Sequence, residues 1–356
     1  MQSPSRRDAL RGAAAAAAGA LVLQPARQTM AATPEPQKVT PELIAAARKE
    51  GKVSFYTSVE LPVAEKVAKA FEAKFPGIAV RVERSGAERN FQRIAQEYAS
   101  KIYVCDITQS SDAAHFISWK RDGLLESYLP EEVARHYPPQ HKDADGMFAS
   151  WRVYLSVIAY NTKLVKAQAA PKSFADLLDP KWMGKLVKAH PGYSGTIMTA
   201  TQQMVATLGW SYFEKLAKQK VMQLQSAADP PKKVAVGERA VQVDGADYTI
   251  LQFLAKGEPI EIVYASEGTP LISGPAAIMK RAPNPNAARL FHSWAMGIEC
   301  QQLNSDVAGL RSAHALVKER PGRKPLAEIK VMKEDPAAVD AQSDEIKAKY
   351  AAIFGV

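Results

Sequence analysis

The residues that could do chemistry gather at a few positions in the chain. Ser58 closes the strand-like run Val53 to Thr57, Ser85-Gly86 follows Ile78 to Val82, and Ser110-Ser111 follows Ile102 to Ile107. In open parallel sheets ligands collect at the carboxyl ends of strands, so short hydroxyl donors at three successive ends suit a hydrogen-bonding wall. Taken singly, each is an ordinary turn residue. Pro191-Gly192-Tyr193-Ser194-Gly195-Thr196 precedes a helix-like run to Leu208. Such a start exposes free N–H groups and the positive end of the helix dipole, which suit a carboxylate or phosphoryl group, although Ser and Thr are also ordinary N-caps. Arg152 shares strand parity with Tyr154 and offers either a forked donor to an anion or an exposed salt bridge; Arg84 and Arg89 carry the same alternatives. Tyr154, Tyr193 and Tyr248 supply flat apolar area and phenolic donors, whereas Trp151 reads better as core. Glu267 lies in the turn Glu267-Gly268-Thr269-Pro270, placed to touch ligand or hinge.

Several chemistries are disfavoured. Gly192-Tyr193-Ser194-Gly195 lacks the Gly-x-Ser-x-Gly spacing of a hydrolase nucleophile elbow. No pair among His115, His136, His141, His190, His292 and His314 has the i, i+4 spacing of a helical metal site, and no Gly-Lys-Ser or Gly-Lys-Thr phosphate loop occurs. The expectation is a binding protein, not an enzyme, with no cofactor and no metal. The 356 residues carry a net charge of +9 without any block of like charges, which is a poor fit to a nucleic-acid partner. Cys105 and Cys300 are the only cysteines and read as buried thiols, with one disulfide permitted between them.

These residues need elements to position them. Arg6 and Arg7, an apolar stretch from Gly12 to Leu23 and the small residues Ala31 and Ala32 have the order of a signal peptide, residues 1–32. Ser5-Arg6-Arg7-Asp8-Ala9-Leu10 is similar to a twin-arginine export signal, with Ala9 where Phe is usual. Residues 33–39 are a polar, Pro-rich tether, and Thr40-Pro41-Glu42 opens the first helix. Helices then alternate with strands through Ile107, the pattern of a mostly parallel sheet covered on both faces. A long strand, Val153 to Tyr160, begins a second α/β set with strands Lys185 to Ala189 and Ala240 to Val243. The runs Ile260 to Tyr264 and Pro275 to Met279 follow, then helices from Pro285 and from Pro336 to Phe354.

The order of motifs resembles the family 1 periplasmic solute-binding proteins of ABC transporters, the group of ferric-ion, thiamine, phosphonate and sugar-phosphate binders. The landmarks are Val53-Ser54-Phe55-Tyr56-Thr57-Ser58, Val104-Cys105-Asp106-Ile107, Ile158-Ala159-Tyr160-Asn161-Thr162, Leu177-Leu178-Asp179-Pro180-Lys181-Trp182-Met183-Gly184-Lys185, Ser194-Gly195-Thr196 and Ala282-Pro283-Asn284-Pro285-Asn286. The resemblance implies an α/β, two-lobed type II periplasmic binding protein fold, each lobe a mixed, mostly parallel sheet flanked by helices and hinged about a cleft. It divides the chain into lobe 1 (40–150 and 265–330) and lobe 2 (151–264), with 331–356 packing on lobe 2 and crossings near Trp151 and Ala265. It also implies a monomer in the periplasm that delivers a small organic anion, a phosphonate, sugar phosphate or carboxylate, to a permease in the inner membrane. The alternatives are ferric iron with a helper anion, and a sensor presenting its ligand to a membrane receptor. Iron-binding relatives carry adjacent tyrosines where this chain has the stretch Gly237 to Tyr248 with one tyrosine, and arginines where it has Tyr154 and Ser156. That stretch adds Asp244 to Tyr248 as a candidate contact, and its departures count against a hard trivalent cation.

Overall fold

The structure, a computed structural model, describes residues 34–356. The expected signal peptide lies outside the described residues. Two five-stranded sheets organise the chain. The first holds β1 (Lys52–Thr57), β2 (Ala79–Arg84), β3 (Ile107–Gln109), β4 (Ala149–Leu155) and, from much later in the chain, β10 (Leu271–Ile278). The second holds β5 (Ile158–Asn161), β6 (Leu186–Ala189), β7 (Met222–Leu224), β8 (Val241–Gln242) and β9 (Ile260–Val263). Their orders are β2-β1-β3-β10-β4 and β7-β6-β8-β5-β9. In each sheet the helix-connected strands pair in parallel and the two remaining strands add antiparallel contacts. Helix crossovers cover both faces, which is why β1 and β4 bury nearly every side chain, polar ones included. The aromatic core of the first sheet joins Phe55, Phe71, Trp151 and Phe291; that of the second joins Phe174, Tyr212, Phe213 and Tyr350.

Three expected elements take a different form. The run Ile102 to Ile107 pairs only from Ile107 onward: Lys101 has φ 56°, Ile102 is exposed, and the Asp106 carboxylate accepts the N–H groups of Ser54 and Asn284. The expected strand Val153 to Tyr160 is two strands in different sheets. Ser156 N and Val157 N donate to Pro270 O and Gly245 O, so the chain passes between sheets there, and Trp151 lies inside β4. β10 opens at Leu271, before the expected Pro275, with a register shift at Gly274/Pro275. The helix Pro336–Phe354 straddles both parts, packing on Ala114–Arg121 beside the first sheet and on Gly195–Leu208 and Trp210–Ala217 beside the second. Cys105 and Cys300 are both free and buried. No helix among the described residues is long and apolar enough to cross a membrane.

Candidate functional site

Between the sheets lies a cavity of about 70 Å³. From the first sheet come Ser58 after β1, Arg84 and Gly86 at the end of β2, Ser111 after β3, and Arg152 on β4. From the second come Tyr193, Ser194 and Thr196 at the helix Gly195–Leu208, Ser226 after β7, and Tyr248 on the helix Asp247–Leu254. The site thus sits at strand carboxyl ends, where neighbouring connections leave opposite sides of the sheet and open a crevice. Two helices, Ala87–Ala99 and Gly195–Leu208, start at its edge. The first N–H groups of a helix have no intrahelical acceptor, so both starts present donors to it.

Arg152 organises the floor. It is 1% exposed, yet both of its hydrogen-bond partners are neutral: Nη1 donates to the Tyr248 hydroxyl at 3.0 Å and Nη2 to Ser58 Oγ at 3.2 Å, while Nε has no partner. The Tyr248 hydroxyl in turn donates to Glu60, lying 2.9 and 2.8 Å from the two carboxylate oxygens. Burial raises the Tyr248 phenol well above its ordinary value, so it stays a donor. The guanidinium carbon also lies over the Tyr154 ring at 5.0 Å. The packing makes room for this side chain at Gly274, which faces Arg152 across the β4–β10 ladder. A Cβ there would come within 2.8 Å of Arg152 Cγ. Arg84 and Arg89 bring the lining to three arginines against the single acid Glu60, so the cavity is electropositive.

Of the residues singled out from sequence, Ser58, Arg84, Gly86, Arg89, Ser111, Arg152, Tyr193, Ser194, Thr196 and Tyr248 line this cavity. The others sit elsewhere, for visible reasons. Ser85 is held by its N–H to Thr57 O, and Ser110 Oγ is spent on the Asp112 N–H and on His115 Nδ1. Tyr154 is fully buried behind the cavity and reaches it only through Thr196, 2.8 Å from its hydroxyl; burial raises its phenol to about 12. Gly195 faces the opposite lobe, where an added Cβ would meet Asp112 Cβ at 2.6 Å. Asp244 forms an ion pair of 2.5 Å with Lys188, both side chains wholly inaccessible; burial pushes the acid up and the lysine down while their attraction opposes both. Glu267 accepts the N–H groups of Phe174 and Ala175, closing a turn. Sequence reasoning missed Glu60, Gln225 and Ser226, which lie in loops without any pattern and become neighbours only through the sheet order.

One three-residue group could hold a cation away from the cavity: Glu132, His136 and His314. Glu132 and His136 are one helical turn apart, and the third member comes from a distant loop, so a search for histidine pairs passes over it. His314 Nδ1 accepts the Leu316 N–H, leaving the ring proton on Nε2, which donates to Glu132 at 2.8 Å. This geometry is a complete hydrogen-bonded pair, since a metal-bound nitrogen must be free of its proton.

Residues 57–301 match the model of the bacterial extracellular solute-binding protein family. The chain belongs to that family. An uncharacterized protein of Haemophilus influenzae is 27% identical over 72% of this chain and 76% of its own length. A probable ABC transporter periplasmic-binding protein of Sinorhizobium fredii is 22% identical over 63% and 64%. Among solved structures, the periplasmic binding protein AfuA of Actinobacillus pleuropneumoniae, with fructose-6-phosphate bound, superposes with a TM-score of 0.79 at 23% identity, covering 86% of this chain and 99% of that one. Iron-bound HitA of Pseudomonas aeruginosa gives 0.74 at 23%, covering 85% and 99%. The fold is therefore the two-lobed periplasmic binding protein fold. Members of this family are extracytoplasmic binding proteins rather than enzymes, which implies a small-molecule ligand and a permease partner.

Proposed function

We propose that this solute-binding protein captures a small organic anion, a phosphonate, sugar phosphate or carboxylate, between its lobes and delivers it as a periplasmic monomer to a permease in the inner membrane. On this reading the lobes divide at the Ser156–Val157 passage and again near Ala265, and the signal peptide is cleaved. The observation that carries it is Arg152: a buried guanidinium whose hydrogen-bond partners are all neutral is costly unless an anion completes its shell. The two helix starts and the exposed Arg84 and Arg89 favour the same sign of charge. A ferric ligand fits less well, because the buried phenols Tyr154 and Tyr248 are held protonated and are committed to Thr196 and Glu60.

A thermal-shift panel of phosphates, phosphonates and carboxylates tests this. A bound anion at 100 times its dissociation constant should stabilise by about 2.7 kcal/mol. Arg152→Met, which keeps length and removes charge, should abolish that shift with the fold intact by circular dichroism. Stabilisation by neutral sugars or by ferric citrate alone, with a visible tyrosinate-to-iron band in the latter case, would overturn the reading.

A further inference from the structure

The inner cavity opens sideways into a second chamber of about 510 Å³, and the two share Glu60, Arg84, Ser226 and Ala228 as common wall. About 70 Å³ is far below the roughly 300–1,000 Å³ that encloses a whole organic ligand, whereas the outer chamber falls inside that range. Its far wall is one face of a single helix. Thr249, Gln252, Phe253 and Lys256 follow i, i+3, i+4, i+7 spacing along Asp247–Leu254 and just beyond. The same helix supplies Tyr248 to the Arg152 network, so one rigid element faces both spaces.

The lining is mixed in a specific way. Leu61 and Pro62 from the first lobe oppose Phe253, and Leu61 is 45% exposed, an apolar surface open to the chamber. Thr249 is 4% exposed and its hydroxyl has no hydrogen-bond partner, an uncompensated buried donor of the kind a ligand acceptor would satisfy. Lys232 is answered by Asp229 at 2.9 Å, and Lys256 stands 5.9 Å over the Phe253 ring.

Resting on the anion reading above, we propose that the outer chamber is a second subsite for the same ligand, holding a ring-bearing organic body while the inner cavity holds its anionic head. The ring would lie against Phe253, Leu61 and Pro62, with a polar substituent reaching Thr249 and the rim charge of Lys256. The ligand class is then a ring-bearing phosphate, phosphonate or carboxylate rather than a bare or short-chain anion.

Calorimetry with matched pairs tests this: methyl against phenyl phosphate, methylphosphonate against phenylphosphonate, and acetate against benzoate. The ring-bearing member of the preferred pair should bind at least about tenfold more tightly, the size of effect expected for an added apolar group in a pocket. Phe253→Ala should remove that advantage and leave the methyl member unchanged, and Thr249→Val should weaken a ring probe carrying a hydroxyl or carbonyl substituent. Lys256→Met, at an exposed position that cannot disturb folding, should weaken ring probes bearing a second negative charge. Equal affinity within each pair, or ring binding indifferent to all three substitutions, overturns the outer subsite while leaving the anion reading intact. Binding by none of the six anions overturns both.

Discussion

Arg152 shows how one residue's role depends on its neighbours. Strand parity sets it beside Tyr154, but its shell of Ser58, Tyr248 and the missing side chain of Gly274 comes from three other parts of the chain. Asp244 is the opposite case: the same residue type that would bind a ligand is consumed by Lys188. Glu334 offers a residue-scale prediction. Its half-buried carboxylate accepts the Ser273 N–H at 2.8 Å, and loss of solvation raises its pKa from 4.5 to about 7. A proton held more tightly in the folded state stabilises the fold fully below pH 4.5, and that contribution disappears as pH rises through 7. Glu334→Gln keeps an acceptor for Ser273 and never ionises. Relative to wild type, the variant should gain about 2 kcal/mol between pH 5 and pH 8 in denaturant titrations. Parallel pH profiles for the two proteins would contradict the assignment.

At the scale of elements, the start of Gly195–Leu208 is a place where the two lobes meet closely. Ser194 caps it through the Ile197 N–H, while Gly195 lies against the backbone N of Asp112 at 3.0 Å from where its Cβ would be. The glycine is therefore required by the meeting of the lobes, not by the ligand's approach to the loop. Gly195→Val should fold, because the clash lies between lobes and not within the helix, but should prop the cleft open. Anion affinity should fall by at least about tenfold, with unfolding midpoints moving little, since single changes outside a core usually cost about 1 kcal/mol or less. Wild-type affinity in a normally folded Gly195→Val protein would show that this contact does not govern closure. The C-terminal helix adds a second link: Asp340 accepts from Ser118 at 2.6 Å and pairs with Arg121, Lys347 pairs with Glu88, and Tyr350 donates to Gln223. It thereby ties elements of both sheets together on one rigid rod.

For the whole molecule, the contacts at the mouth of the cleft are polar, while Tyr248 packs on Tyr154 and Gln203 holds the backbone of Leu271 nearer the crossings between the sheets. Tyr248 meets Glu60, Arg89 Nη2 donates to Gln225 at 2.8 Å, and Tyr193 O lies 3.3 Å from where a Gly86 Cβ would be. Such an interface is easily exchanged for water, so the lobes should separate without ligand and close when an anion bridges them. Small-angle scattering should then show the radius of gyration decrease on saturation with a binding anion of the thermal-shift panel. An unchanged profile would mean a rigid pocket.

The sequence by itself determined the alternation of strands and helices, the α/β class and most of the helix starts, because periodicity, Pro-Gly stops and caps act over a few residues. Pro41, Gly51 and Gly209 bound helices where their backbone chemistry requires it. It also marked ten of the cavity's residues, since strand ends and a helix start are local features. Only the tertiary structure decided which sheet β4 joins, because a strand buried on both faces carries no local mark of its partner; the Ser156–Val157 passage and the return of β10 to the first sheet settle it. It likewise decided that Asp244 and Glu267 already have partners, while the Arg152 guanidinium hydrogen-bonds only neutral groups. Whether a polar group is free or satisfied depends on residues 56, 92 or 94 positions away, and no local pattern records that distance.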